Sequence, residues 1–155
     1  MVSLRVRRAT EDDLPAIVAL LADDGIGKSR EDVSAPLNPN YRSALATLTA
    51  DPNQFMAVLV DDAAAGELLG CLQLTFIPGL SRRGAWRCQV ESVRIAGKRR
   101  GQGLGHVLFE WVIGECHRRG CAVVQLTTDK RRSDARRFYE SLGFTASHDG
   151  MKLAL

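Results

Sequence analysis

The run Arg99-Arg100-Gly101-Gln102-Gly103-Leu104-Gly105 holds residue types that suit anion chemistry. Glycine lets the backbone come close to an anion, because no Cβ stands in the way. The apolar pattern after the run predicts a helix, and a helix N-terminus offers unpaired amides with partial positive charge. Arg99 and Arg100 add full charges that can grip phosphate oxygens in pairs. A diphosphate is the natural occupant, although glycines here can also serve only to shape a turn. Two diphosphate readings are disfavoured. A dinucleotide fingerprint would place glycine where His106 stands, with an acidic residue ~20 positions on. A P-loop would end its glycine run in Gly-Lys-Ser or Gly-Lys-Thr, and none stands in this segment.

The elements around the run follow from periodicity. Residues 4–7 alternate as a short strand would. Thr10 to Asp13 reads as a capping box, followed by a helix with Leu14, Ile17, Val18 and Leu21 on one face. Residues 23–40 are rich in loop formers, and a short helix is predicted over 41–48. Residues 55–60 and 68–76 read as strands joined by a turn at 61–66, and a third strand spans 86–95. A helix opening at 101–105 carries Leu104, Leu108, Trp111, Val112 and Cys116 on one face and stops at Gly120. A strand follows at 122–127. A helix over 133–142 then presents Ala135, Phe138, Tyr139 and Leu142 and stops at Gly143. The tail at 151–155 alternates as a last strand would. The order β-α-α-β-β-β-α-β-α-β specifies an α/β fold of the mixed-sheet, α+β kind, with helices on both faces.

Composition sets outer bounds. A chain of 155 residues is one domain's worth. Hydrophobic residues at 45% and charged residues at 25% exclude disorder. No apolar run approaches the ~20 residues that span a bilayer. The charged start, Leu4-Arg5-Val6-Arg7-Arg8, does not suit a signal peptide, so a cytoplasmic location is expected. Cys71, Cys88, Cys116 and Cys121 show no CxxC spacing and are expected as reduced thiols, and His106, His117 and His148 form no metal pattern with them. No cysteine has an obvious histidine partner, which gives little support to a covalent intermediate. Residues 1–79 hold 6 Lys/Arg and 11 Asp/Glu, a net of −5, whereas residues 80–155 hold 15 and 7, a net of +8. A basic half suggests a polyanionic partner, either nucleic acid or a phosphorylated cofactor, or simply an uneven solvated surface.

Three segments together resemble a known family. Arg100-x-x-Gly103-x-Gly105 is similar to the acetyl-CoA motif of the GNAT superfamily of N-acetyltransferases. Arg7-Arg8-Ala9-Thr10-Glu11-Asp12-Asp13-Leu14 resembles the family's opening. Phe138-Tyr139-Glu140-Ser141-Leu142-Gly143-Phe144 resembles its C-terminal helix and the Gly-Phe that follows. The likeness covers nearly the whole chain, in the family's element order.

The resemblance implies a role for each matching position. The strand at 90–95 would splay from the next parallel strand, leaving Val93 and Ile95 to pair with the pantetheine arm of acetyl-CoA. Arg100 and the amides of Gly101, Gln102, Gly103, Leu104 and Gly105 would hold the pyrophosphate. Lys98, Arg99, Lys130 or Arg132 would meet the 3′-phosphate, which accounts for the basic half without nucleic acid. Tyr139 matches the general acid toward the CoA sulfur, although it also falls on its helix's apolar stripe. Glu91 matches a base position, and simple alternation puts it on one face with Val93 and Ile95; it could equally pair with Arg87. Arg132 departs from the family pattern, which has asparagine seven residues before the tyrosine. Ser133 is expected to cap the helix and reach the cofactor in its stead.

The acceptor would be a primary amine of a small molecule or peptide, acetylated directly in a ternary complex. Asp23, Asp24, Glu31 and Asp32 could attract a cationic amine, or Arg82, Arg83, Trp86 and Arg87 an anionic or aromatic one. A homodimer is implied by the family's habit, and neither a membrane nor a nucleic-acid partner is expected. The alternative is a non-catalytic acyl-CoA sensor, which would need neither Tyr139 nor Glu91.

Overall fold

Five stretches rich in Val, Leu and Ile form strands: β1 (Leu4–Arg8), β2 (Gln54–Asp61), β3 (Glu67–Ile77), β4 (Trp86–Ile95) and β5 (Cys121–Leu126). They come from a computed structural model that describes residues 3–155. The strands lie side by side in chain order, β1-β2-β3-β4-β5. The first three junctions are antiparallel and β4 pairs with β5 in parallel. A parallel pair needs a long crossover, and here a helix supplies it.

The helices are α1 (Leu14–Ala22), α2 (Pro39–Ala50), α3 (Leu104–Arg118) and α4 (Ser133–Ser141). At the entry to α1 the Asp13 carboxylate accepts from the Thr10 amide at 2.7 Å and its hydroxyl at 3.1 Å. The same carboxylate accepts from Arg7, which ties the capping turn to β1. Helix α2 starts two residues earlier than the apolar pattern implies. Asn38 caps it by accepting from the Asn40 amide at 3.0 Å, and Pro39 sits at the first helical position, where its missing N–H costs nothing. Gly120 and Gly143, with φ of +71° and +93°, end α3 and α4 where the sequence places the stops.

The sheet carries a core on each face. Helices α1 and α2 pack Ile17, Leu20 and Leu45 on Met56, Val58, Val60 and Cys71. Helix α3 packs Leu108, Phe109 and Val112 on Leu59, Leu72, Leu74 and Val90, and α4 adds Phe138 and Tyr139 to that side. Each fully buried Leu, Val or Phe side chain contributes roughly 1.5–3 kcal/mol relative to an exposed one.

One expectation changes. Residues 151–155 form no strand, and Met151 and Leu153 are 94% and 87% exposed. Alternation supplies the pattern of a strand, but a strand also needs a ladder, and these residues pair with none. The charge asymmetry of the two chain halves closes up across the fold. Arg99 pairs with Glu67, Arg100 with Asp23, and Arg94 and Arg132 with Asp24.

Candidate functional site

Strand β4 loses one neighbour half-way along. Its ladder to β5 runs from Trp86 opposite Cys121 to Val90 opposite Leu126 and stops there. Beyond Val90, β4 continues to Ile95 held only by β3. This leaves the wedge between parallel strands that the family resemblance implies. Backbone groups of residues 91–95 face it without a ladder partner. The Val93 carbonyl accepts from Arg94 Nη1 at 2.8 Å, and the Ile95 carbonyl from Arg100 Nε at 3.2 Å. Each carbonyl has a second lone pair, so an extended amide-bearing arm fits the wedge.

A bulge sits at the mouth of the wedge. The register to β3 passes from Glu91 opposite Gln73 to Arg94 opposite Cys71, so β4 spends one residue more than β3. Ser92 takes the excess with φ of +54°, a left-handed conformation that an L-residue adopts at a cost. The bulge reverses the expected facing of Glu91. Val90, Val93 and Ile95 all pack on the α3 side. Glu91 therefore faces the α1/α2 side together with Arg94, and it does not share a face with Val93 and Ile95. Simple alternation fails because the extra residue shifts the pleat by one.

The glycine run lies where β4 gives way to α3. Gly101 and Gly103 have φ of +76° and +78°, and Gly103 is the N-cap. Among the described residues, no backbone carbonyl accepts from the amides of residues 101–105. These amides and the helix N-terminus form a cradle that suits a pyrophosphate. Gly105 has a second role: a Cβ there would lie 2.9 Å from Phe138 Cζ, so its bareness lets α3 and α4 meet. The Leu104 side chain is buried and anchors the first turn. Gln102 Nε2 donates to the Lys98 carbonyl at 3.3 Å. Arg100 turns from the cradle to the end of α1, where Nη2 donates to the Asp23 carbonyl at 2.8 Å and its carboxylate at 3.1 Å.

Tyr139 projects from α4 among Phe109, Phe138 and Phe144, with ring centroids 5.6, 5.4 and 6.0 Å away. Its hydroxyl has no hydrogen-bond partner among the described residues. Burial pushes the phenol up from its ordinary value, and the nearby Arg94 and Arg132 charges pull it part-way back. A neutral phenol is thus held beside two cations at the wedge. Ser133 does not cap α4: the N-cap is Arg132, without a side-chain cap bond, and Ser133 is the first, exposed helical residue. The chain reaches α4 through a turn in which the Arg132 amide donates to the Asp129 carbonyl, and this sets the helix start one residue earlier than a serine cap would.

The structure joins Asp24 and Arg132, which the sequence named for other roles, with Arg94, which sequence reading missed. Asp24, just after α1, accepts from Arg132 Nη2 at 2.8 Å and lies 3.2 Å from Arg94 Nε. Its other oxygen accepts from the Ile26 and Gly27 amides. Burial alone would raise the Asp24 carboxyl, but the Gly27 amide, Arg132, Arg94 and the Ile26 amide together hold it at about 2. Arg94 between Val93 and Ile95 was the available signal, a charge inside an apolar strand end. Its partner lies 70 positions away in sequence, where no local pattern reaches. The other acceptor candidates separate from this group. Glu31 accepts from the Tyr41 hydroxyl, and Trp86 lies at the β4 end remote from the wedge.

A model of the "Acetyltransferase (GNAT) family" matches residues 16–144. The chain belongs to the GNAT acetyltransferase family. A curated relative, "Aminoalkylphosphonate N-acetyltransferase" from Salmonella typhimurium, is 27% identical over 143 residues, covering 92% of this chain and 86% of the relative. The crystal structure of a "transcriptional regulator" from Bacillus halodurans C-125 superposes with a TM-score of 0.93 at 44% identity, covering 99% of this chain and 100% of that one. A "putative acetyltransferase" from Agrobacterium tumefaciens shares the fold, with a TM-score of 0.83 at 23% identity over 97% of this chain and 99% of that one. The chain is a GNAT acetyltransferase, and the five-stranded mixed sheet is the GNAT fold.

Proposed function

We propose that the protein transfers an acetyl group from acetyl-CoA to the primary amine of a small molecule, directly within a ternary complex. The wedge between β4 and β5, with Tyr139 in the same apolar cluster as Val93, Ile95 and Leu126, is the observation that carries this reading. Acetyl-CoA supplies the acetyl group as a thioester. The free amides of residues 101–105 hold its pyrophosphate, and the backbone at Val93 and Ile95 aligns its arm. Glu91, exposed on the α1/α2 side, takes the proton that the attacking amine loses as nitrogen bonds to the acetyl carbon. Tyr139 Oη gives its proton to the sulfur as the carbon–sulfur bond breaks. A phenol kept neutral by burial is ready to do so at neutral pH.

The name of the Salmonella relative makes a small amine bearing a phosphonate the first acceptor class to try. The name of the Bacillus halodurans protein supports a second reading, an acyl-CoA sensor that binds without turnover. Thiol release from acetyl-CoA across a panel of amines separates the two. Amine-dependent release is expected, and Tyr139→Phe should lower kcat by ~10²-fold or more with little change in CoA affinity. Tight CoA binding without release for any amine would favour the sensor.

A further inference from the structure

The Arg94–Asp24–Arg132 group holds more positive charge than it neutralises. Two guanidinium groups share one carboxylate, and that carboxylate also serves two amides. The side chains are only 13% (Arg94), 16% (Asp24) and 27% (Arg132) exposed. Arg94 Nε lies 3.2 Å from Asp24 Oδ2 but off the line of a hydrogen bond, and it is a buried donor without an aligned acceptor. Leaving a guanidinium donor buried and unpaired is costly, and an anion brought beside the pair offsets the uncompensated positive charge.

Position gives the anion a use. Both arginines are close enough to Tyr139 to pull on its proton. The bulge at Ser92 puts Arg94 on the same sheet face as Glu91, two pleat steps apart. That is ~7 Å along the strand. A short aminoalkyl acid spans such a gap, with its amine toward Glu91 and its acid group toward Arg94. Guanidinium groups match a compact oxyanion because their planar forks offer paired donors.

We infer that Arg94 and Arg132 form a specificity subsite for a compact oxyanion, phosphonate or carboxylate, on the amine acceptor. This subsite rests on the proposed transferase reading and gives the acceptor a zwitterionic form. Arg132, at the position where the family resemblance expects asparagine, is thereby assigned to the acceptor side of the wedge. Asp24 keeps the two guanidinium groups together and leaves one net positive charge.

The test is calorimetric binding to the CoA-loaded protein, which does not depend on turnover. The probes are 2-aminoethylphosphonate, β-alanine and propylamine. The wild type should bind the first at least ~30-fold more tightly than propylamine, and β-alanine shows whether carboxylate substitutes for phosphonate. Arg94→Met and Arg132→Met should each lose ~10-fold or more of the phosphonate affinity, with partial recovery in Arg94→Lys. If Arg94→Met fails to fold, Arg132→Met carries the test, because that side chain is more exposed. Equal binding of the charged and uncharged amines by the wild type would overturn the subsite. So would a retained preference in folded variants. A parallel loss of CoA affinity would assign the pair to the cofactor and overturn it too. Phosphonate binding that depends on both arginines, without acetylation, would uphold the subsite and remove the transferase reading.

Discussion

The two halves of β4 share one strand and little else. From Arg87 to Val90 it pairs with a neighbour on each side, and Cys88 and Val90 are 0% and 1% exposed. From Glu91 to Ile95 it pairs on one side, Glu91 and Ser92 are exposed, and a bulge turns the pleat. The first half is held by apolar packing against α3. The second half adds charge, through Arg94 to Asp24, to the packing of Val93 and Ile95. Backbone groups that no neighbour uses are free to bind, so the proposed site lies where the ladder stops.

The largest effect expected is on the loop that follows the second half. Gly103→Val keeps space around the new side chain but places a β-branched residue at φ of +78° and puts bulk in the cradle. CoA affinity should fall by ~10²-fold or more, and stability by ~1–2 kcal/mol from backbone strain. Unaltered CoA affinity by calorimetry would remove the diphosphate from this loop.

Packing separates the halves next. Val90→Ala should cost about 2–3 kcal/mol in urea unfolding, because a fully enclosed site leaves a cavity. Val93→Ala, at a half-buried position, should cost less than ~1 kcal/mol and show mainly as a raised KM for acetyl-CoA. Equal losses of stability would mean that the wedge side is packed as firmly as the core.

Acid probes the charged half. Asp24 is held at about 2, below its usual 3.8. Its stabilising contribution is therefore fully present above pH 3.8 and is lost as pH falls through about 2. The contribution is on the order of 2 kcal/mol. Asp24→Asn should be less stable than the wild type at neutral pH, with the difference closing between these two values. An undiminished difference at low pH would place the role of Asp24 in shape and not in charge.

Much of this was legible in the sequence because the signals are local. Strands β2 and β3, the capping box at Thr10 and the stops at Gly120 and Gly143 each depend on residues within a few positions of one another. The tail at 151–155 shows the limit of that reading: its alternation is genuine, yet no partner strand pairs with it. Arg132 shows the same limit at the site. As a departure from a family pattern it was visible, but its bond to Asp24 spans 108 positions.

The sequence by itself determined the order of elements up to Gly143, the apolar faces and the glycine run, which follow from periodicity, turn chemistry and spacing along the chain. The family showed separately, in the resemblance of three motifs. Only the tertiary structure decided which way Glu91 points, what Gly105 makes room for and which charges meet beside Tyr139. A single extra residue in a ladder reverses the facing of a side chain, and the ladder is formed by a strand that is distant in sequence. Electrostatic partners likewise depend on distance in space, which sequence separation does not encode.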